Sequence, residues 1–91
     1  MNAPRASGVE IEQRLRERLG PSSIELRDDS AAHAGHAGAR EGGHYRLRIV
    51  SERFAGLGRV ARHRLVYDSL ADLMQRGIHA LAIDARTPDE G

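Results

Sequence analysis

Five histidines are the residues of this 91-residue chain with the widest chemical repertoire. Neutral imidazole coordinates zinc, iron and copper, and its titration near neutral pH also suits proton transfer. The chain has no cysteine, so it cannot complete a four-ligand metal site with thiolates of its own. A metal bound by these residues would be shared with a partner or with water. The histidines stand at positions 33, 36, 44, 63 and 79.

One long amphipathic segment carries His63 and organises the rest of the chain. Residues 59–77 are predicted to form a single helix, which Gly77 ends. At 100° per residue one wide face is apolar, and it consists of Val60, His63, Val66, Tyr67, Leu70, Ala71, Leu73 and Met74. His63 lies in the middle of this arc, so we predict a core residue, more than half buried, and not a metal ligand.

The segments on either side complete an αββαβ order. Ser7 and Glu10 form a capping box that begins a first helix, and this helix ends near Gly20. Phe54, in the connection that precedes the long helix, is expected to fill the core. Alternating apolar residues predict three strands, over residues 23–30, 44–50 and 79–86.

These elements predict one α+β domain over residues 1–91, a two-layer sandwich with both helices on one face of a three-stranded mixed sheet. The first two strands are expected to be antiparallel. The connection from the second strand through the long helix to the third is expected to be a right-handed crossover, with those two strands parallel. Residues 1–6 and 89–91 are expected to be flexible, with Pro88 starting a tail.

The predicted topology separates His63 from the other histidines. Parallel pairing puts the starts of the second and third strands, at His44 and His79, at the same end of the sheet. The loop between the first two strands carries His33 and His36, which are expected at that end as well. His63 is then about 20 Å away along the helix axis. The alternative is that all are ordinary structural or surface histidines, because their spacing alone is a weak sign of a metal site.

Several separated blocks of the sequence together resemble the BolA family. They are Val50-Ser51, Phe54, Arg62-His63-Arg64-Leu65-Val66-Tyr67, Leu70 and Ile78-His79-Ala80-Leu81. The blocks agree with the signature of that family in order and spacing, and the resemblance spans residues 9–88. It implies a class II KH-like fold, whose layout is the αββαβ order predicted from the residue pattern.

For function, the resemblance implies a non-enzymatic protein that partners a monothiol glutaredoxin and shares a [2Fe-2S] cluster with it. The glutaredoxin cysteine and glutathione would supply sulfur ligands, and this chain would supply histidines. The matching positions are His79, in the Ile-His-Ala-Leu block, and His33, by its distance after Asp28-Asp29-Ser30. The loop also contains His36, so either loop histidine is a candidate ligand. Iron–sulfur clusters accept histidine in place of cysteine on one iron.

The charge distribution supports a second hypothesis. Residues 40–64 contain seven arginines against two glutamates, a net charge of +5 in a chain whose total is only +1. Arg59, Arg62 and Arg64 begin the long helix, whose N-terminus itself attracts phosphate. The resemblance likewise implies a DNA-binding transcriptional regulator of stress response and cell morphology. Against it, a KH clamp needs a Gly-x-x-Gly loop, and Gly56-Leu57-Gly58 is one residue short.

Other functional classes have little support in the sequence. The sequence has no recognisable catalytic triad and no pair of carboxylates on a rigid element, so an enzyme is not predicted. A metal-free protein–protein adaptor is a further alternative, with Ala61 and Leu65 on the polar face of the helix as its contact. No apolar run approaches the ~20 residues of a membrane helix, and the N-terminus lacks a signal peptide, which predicts a cytoplasmic protein.

Overall fold

The computed structural model describes residues 7–29 and 43–91, and at His79 it describes the backbone alone. The elements are α1 (Gly8–Leu19), β1 (Ser23–Asp28), β2 (Gly43–Val50), a 3₁₀ turn (Glu52–Phe54), α2 (Arg59–Ser69), α3 (Ala71–Met74) and β3 (Ile78–Arg86). The predicted flexible segment 1–6 lies outside the described residues. The predicted α+β fold is confirmed.

The sheet is mixed and has β2 in its centre. β1 pairs with β2 antiparallel and β3 pairs with β2 parallel, as predicted, so that β1 and β3 are edge strands. Side chains alternate between the two faces of each strand. Tyr45, Leu47 and Ile49 are buried beneath the helices, whereas Arg46 and Arg48 are exposed on the opposite face.

α1 has the caps that its sequence predicts. The Ser7 hydroxyl accepts a hydrogen bond from the Glu10 amide, and the Glu10 carboxylate accepts one from the Ser7 amide. These bonds satisfy two amides that the helix itself leaves without partners. Gly20 ends α1 with a left-handed backbone (φ 49°), which glycine adopts because it has no Cβ. The buried face of α1 consists of Ile11, Leu15 and Leu19.

Two side chains fix the connection between β2 and α2. Phe54 has no exposed surface and fills the core, as predicted. Ser51 is also buried, and its hydroxyl donates to the carbonyl of Leu19 at the end of α1 over 2.6 Å. The same oxygen accepts a hydrogen bond from the amide of Arg53 in the 3₁₀ turn. This short segment therefore ties α1 to the chain that leads into α2.

The predicted long helix is broken. α2 ends at Ser69, and the backbone at Leu70 (φ −110°, ψ 11°) separates it from the single turn of α3. Two ion pairs to α1 accompany this change of direction: Arg14 pairs with Asp72 of α3, and Glu10 pairs with Arg76 in the turn that follows. The prediction of one helix up to Gly77 was therefore wrong.

The buried face of α2 is also rotated relative to the prediction. Val66 and Leu70 are buried as predicted, but Val60 and Tyr67 are exposed. Leu65, predicted on the polar face, instead packs against the core. The cause is the narrow sheet: α2 packs along β3, and the side of the helix beyond this edge strand has no further strand to cover it.

The C-terminal residues, predicted as a tail, fold back as a turn. Thr87 is buried, and its carbonyl accepts hydrogen bonds from the amides of Glu90 and Gly91. The Glu90 carboxylate accepts a hydrogen bond from the Thr87 amide over 2.8 Å and pairs with Arg62 of α2. The turn is thus joined to the helix through an ion pair.

Candidate metal centre and basic surface

His79 is the extra residue of an irregularity at the start of β3. Gly43 of β2 is in register with Ile78, but the next residue, His44, is in register with Ala80. The pairing therefore passes over His79, as in a β-bulge. Bulges re-aim side chains and are frequent next to functional sites. The backbones of His44 and His79 lie at the same end of the sheet, as the predicted topology requires.

The loop that carries His33 and His36 is attached at this end. Asp29, the last described residue before the loop, donates its amide to the carbonyl of His44 over 2.7 Å. Gly43, the first described residue after the loop, begins β2. The two loop histidines themselves lie outside the described residues. The residues that flank this loop, Asp29 and Gly43, nevertheless lie beside the starts of β2 and β3. A metal bound by His79 would need its second ligand there.

The donor chemistry of this chain fits half of a shared site. Because there is no cysteine, imidazole is its only nitrogen or sulfur side-chain ligand of the kind that iron and zinc prefer. Among the side chains that the structure describes in residues 7–29 and 43–91, which do not include that of His79, no three histidine, aspartate or glutamate side chains are grouped so that they could enclose a metal. Two imidazoles, His79 with one loop histidine, fit one iron of a [2Fe-2S] cluster, and the sulfur ligands must then come from outside this chain.

His63 is remote from this end. It is partly buried, as predicted, and lines a cleft with Ile83, Asp84 and Ala85 of β3. These residues follow His79 by four to six positions, which is roughly 13–20 Å along a strand. His63 therefore lies at the border of the core, not in its middle as the helix phase predicted, and too far away to bind the same metal.

Arg62 has a structural role that sequence reasoning missed. Its guanidinium donates to the carbonyls of Leu57 and Ala85 over 2.8 and 3.1 Å, and to both carboxylate oxygens of Glu90 over 2.6 and 3.1 Å. Only 15% of its side chain is exposed. Arg62 thus joins α2, β3 and the C-terminal turn. Its partners are 5 to 28 residues away in the chain, and no local pattern identifies them.

Arg59 and Arg64, the other arginines predicted to contact phosphate, are exposed. Arg59 is the first residue of α2, and the helix cap at Gly58 makes no side-chain hydrogen bond. Backbone amides in the first turn of such a helix carry a partial positive charge that attracts anions. Of the three arginines predicted to contact phosphate, Arg59 and Arg64 are therefore exposed, whereas Arg62 is engaged by Glu90.

The Arg62–Glu90 pair should make stability sensitive to acid. Hydrogen bonds from Arg62, and then from the Thr87 amide, lower the pKa of Glu90 from 4.5 to about 2. A carboxyl group whose pKa is lowered by folding stabilises the fold above its ordinary pKa, and the effect is lost as the pH falls through the lowered value. We expect Glu90→Gln to melt at a lower temperature than the original chain at pH 7, with the difference shrinking between pH 4.5 and 2.

Melting followed by circular dichroism at several pH values tests this expectation. Glu52→Gln is a suitable control, because Glu52 is an exposed glutamate in the 3₁₀ turn. The control should melt as the original chain does at every pH. A melting difference for Glu90→Gln that stays constant down to pH 2 would contradict a stabilising ionised Glu90.

Comparison with known sequences identifies relatives of this chain. A family profile described as BolA-like protein matches residues 15–90. Human BolA-like protein 1 is 46% identical over 78 residues, which cover 86% of this chain and 56% of the human protein. SufE-like protein 1, chloroplastic/mitochondrial, from Arabidopsis thaliana is 45% identical over 89 residues, 91% of this chain but 24% of that protein. The matched part of the chain thus spans about half of the human protein and about a quarter of the Arabidopsis protein.

Solved structures share the architecture. The BolA domain of SufE1 from Arabidopsis thaliana superposes with a TM-score of 0.83 at 46% identity, covering 98% of this chain and 100% of that one. BolA1 from Arabidopsis thaliana superposes with a TM-score of 0.82 at 37% identity, covering 98% and 99%. The chain is therefore similar to these two structures in sequence and in three-dimensional fold over almost its whole length.

Proposed function

This chain belongs to the BolA-like protein family, and we propose that it is a non-enzymatic partner of a monothiol glutaredoxin with which it shares a [2Fe-2S] cluster in iron–sulfur or redox regulation. The observation that carries the proposal is the position of His79. His79 is the residue that the pairing of β2 with β3 passes over at the start of β3. This position is at the end of the sheet where the histidine-containing loop is attached.

The proposed roles follow from the ligands that each partner can offer. His79 and either His33 or His36 would bind one iron, and the glutaredoxin cysteine with glutathione would supply sulfur. When bound, the cluster supplies one-electron chemistry, and histidine ligation shifts its potential upward relative to cysteine ligation. The residues of this chain bind and orient it. His79 does so from a strand, and the second histidine comes from the connection between β1 and β2.

Reconstitution tests the proposal. The purified chain would be mixed with a monothiol glutaredoxin, glutathione, ferric iron and sulfide without oxygen, and the visible absorbance and circular dichroism would be recorded. We expect a spectrum that differs from that of cluster-loaded glutaredoxin alone, with iron co-eluting with both proteins in gel filtration. A mixture whose spectrum equals that of glutaredoxin alone, with this chain eluting free of iron, would contradict the proposal.

DNA binding is the second candidate function, and the exposed Arg59 at the start of α2 favours it. Phosphate contacts release counterions, so the affinity of such a surface falls steeply with salt. Because Arg62 is engaged by Glu90, the contacts would come from Arg59 and Arg64. We infer weak binding without sequence preference as the most that these two residues support.

Replacing both exposed arginines should therefore change the salt dependence. We expect Arg59→Ala with Arg64→Ala to reduce the slope of log affinity against log salt by about one for each phosphate that the variant no longer neutralises. Fluorescence anisotropy with a labelled duplex at several salt concentrations measures this slope. Arg18→Ala, an exposed arginine on α1, is the matched control. Binding indifferent to salt, or equal slopes for the double variant and the control, would contradict the second function.

The compartment stays a prediction. In the described part of the chain no helix is both long and apolar enough to cross a membrane. We propose the cytoplasm, whereas the name of the SufE-like relative assigns that protein to chloroplasts and mitochondria. A fluorescent fusion of the full chain, observed in its own cell, distinguishes the two.

A further inference from the structure

The side of α2 that faces away from the core carries an exposed apolar stripe. Val60 is 66% exposed and Tyr67 is 39% exposed, and they are two of the three large apolar side chains exposed in the described part of the chain. Arg64 and Ala71 are exposed as well. We call these four residues the outer stripe. Positions 60, 64 and 67 follow the three- and four-residue spacing of one face of α2, and Ala71 is the first residue of α3, just beyond the break at Leu70.

The outer stripe runs along β3 toward the proposed metal site. Near the start of α2, Arg62 donates to the carbonyl of Ala85, and farther along the helix the Tyr67 hydroxyl donates to the carbonyl of Leu81 over 3.2 Å. α2 therefore runs antiparallel to β3, and its C-terminal half lies beside the start of that strand. Leu81 follows His79 by only two residues, which is about 7 Å along a strand.

We propose that the outer stripe is the docking surface for the glutaredoxin that shares the cluster, an inference that rests on the proposed function. A protein that brings a cluster to His79 must cover the surface beside the start of β3, and Tyr67 is part of that surface. Half-exposed aromatic residues are frequent anchors of protein interfaces, because a large rigid ring buries much area at little entropic cost.

The charge around the outer stripe specifies the kind of partner surface. Arg64 lies within the stripe and Arg59 stands at its beginning, next to Val60. No ion pair engages either arginine within residues 7–29 and 43–91. Asp68, next to Tyr67, is exposed as well, so the acidic side chains expected on glutaredoxin should lie opposite Arg59 and Arg64, at the rim of an apolar patch. Such charge pairs act mainly on the association rate and on partner choice.

Two valines provide a matched test. Val9 is the second residue of α1 and Val60 is the second residue of α2, and both are 66% exposed. Aspartate at either position lies in a first helical turn, where negative charge is favourable, so neither substitution should unfold the protein. Val60→Asp places a charge on the outer stripe, whereas Val9→Asp places the same charge on α1.

The experiment titrates each full-length variant into cluster-loaded glutaredoxin with glutathione and follows the circular dichroism of the heterocomplex. We expect Val60→Asp to raise the concentration needed for half conversion at least tenfold and Val9→Asp to leave it within twofold. Tyr67→Ala should act as Val60→Asp does. Tyr67→Phe should stay near the original value, because it keeps the ring and loses only the hydrogen bond to Leu81.

The outcomes separate the docking surface from the cluster proposal. If the original chain forms a heterocomplex, and Val60→Asp forms it at the same concentration as Val9→Asp, the proposal of the docking surface is contradicted. The proposal of a shared cluster is not. If the original chain forms no heterocomplex, the proposed function fails and the docking surface fails with it. A dimer of the free chain that Val60→Asp dissociates in gel filtration would assign the outer stripe to a second copy and overturn the inference.

Discussion

His79→Ala is expected to abolish the shared-cluster spectrum with a monothiol glutaredoxin. The backbone of His79 is held at the start of β3 because its neighbours Ile78 and Ala80 pair with β2, so little backbone entropy is lost when this ligand binds iron. No cysteine elsewhere in the chain can replace the missing imidazole. Visible circular dichroism of the reconstituted mixture measures the effect, under conditions in which the original chain gives the heterocomplex spectrum.

The loop histidines should give a graded result. His33→Ala alone is expected to weaken the spectrum without removing it, because His36 follows three residues later and can substitute. The double change, His33→Ala with His36→Ala, should approach the effect of His79→Ala.

His63→Ala is the control for the loss of a histidine. It lies four or more residues along β3 from His79, so the spectrum should be retained while the melting temperature falls slightly, through poorer packing at the border of the core. An unchanged spectrum after His79→Ala would end the cluster hypothesis, and DNA binding through Arg59 and Arg64 would become the leading function.

The parts of the fold that could be predicted from the sequence are those set by neighbours in the chain. Ser7 and Glu10 cap α1 because their spacing of three residues brings each side chain to the amide of the other. Tyr45, Leu47 and Ile49 are buried because side chains alternate along a strand. The parallel pairing of β2 and β3 followed from the helical crossover that connects them, and it brought His44 and His79 to one end.

The parts that could not be predicted depend on partners distant in the chain. The irregularity at His79 exists only relative to β2, because Ile78 and Ala80 pair with Gly43 and His44, which lie 35 and 36 positions earlier. The phase of α2 depends on where the sheet ends, and periodicity alone cannot show that Val60 and Tyr67 lie beyond the edge strand. From the sequence, Arg62 is expected to bind phosphate because it stands in a basic segment at the start of a helix. Its guanidinium instead donates hydrogen bonds to Glu90, 28 positions later.

Phe54→Ala is expected to lower the free energy of unfolding by about 3–5 kcal/mol, the usual cost of removing a fully buried aromatic side chain. The ring has no exposed surface, and Ser51 anchors the segment around it to α1, which limits collapse into the vacancy. Domains of this kind are stable by about 5–15 kcal/mol, so the loss is a large fraction of the total. Urea unfolding should show a lower midpoint with an unchanged slope.

Phe54→Leu separates this loss of stability from any loss of function. It keeps an apolar side chain in the core and should destabilise less than alanine does. The 3₁₀ turn of Phe54 follows the end of β2, whereas His79 lies at the start of β3, and parallel pairing places these points at opposite ends of the sheet. Phe54→Leu should therefore keep the shared-cluster spectrum while His79→Ala loses it. A folded Phe54→Ala protein destabilised by less than about 1 kcal/mol would show that the core closes around the missing ring, and that Phe54 is not its packing centre.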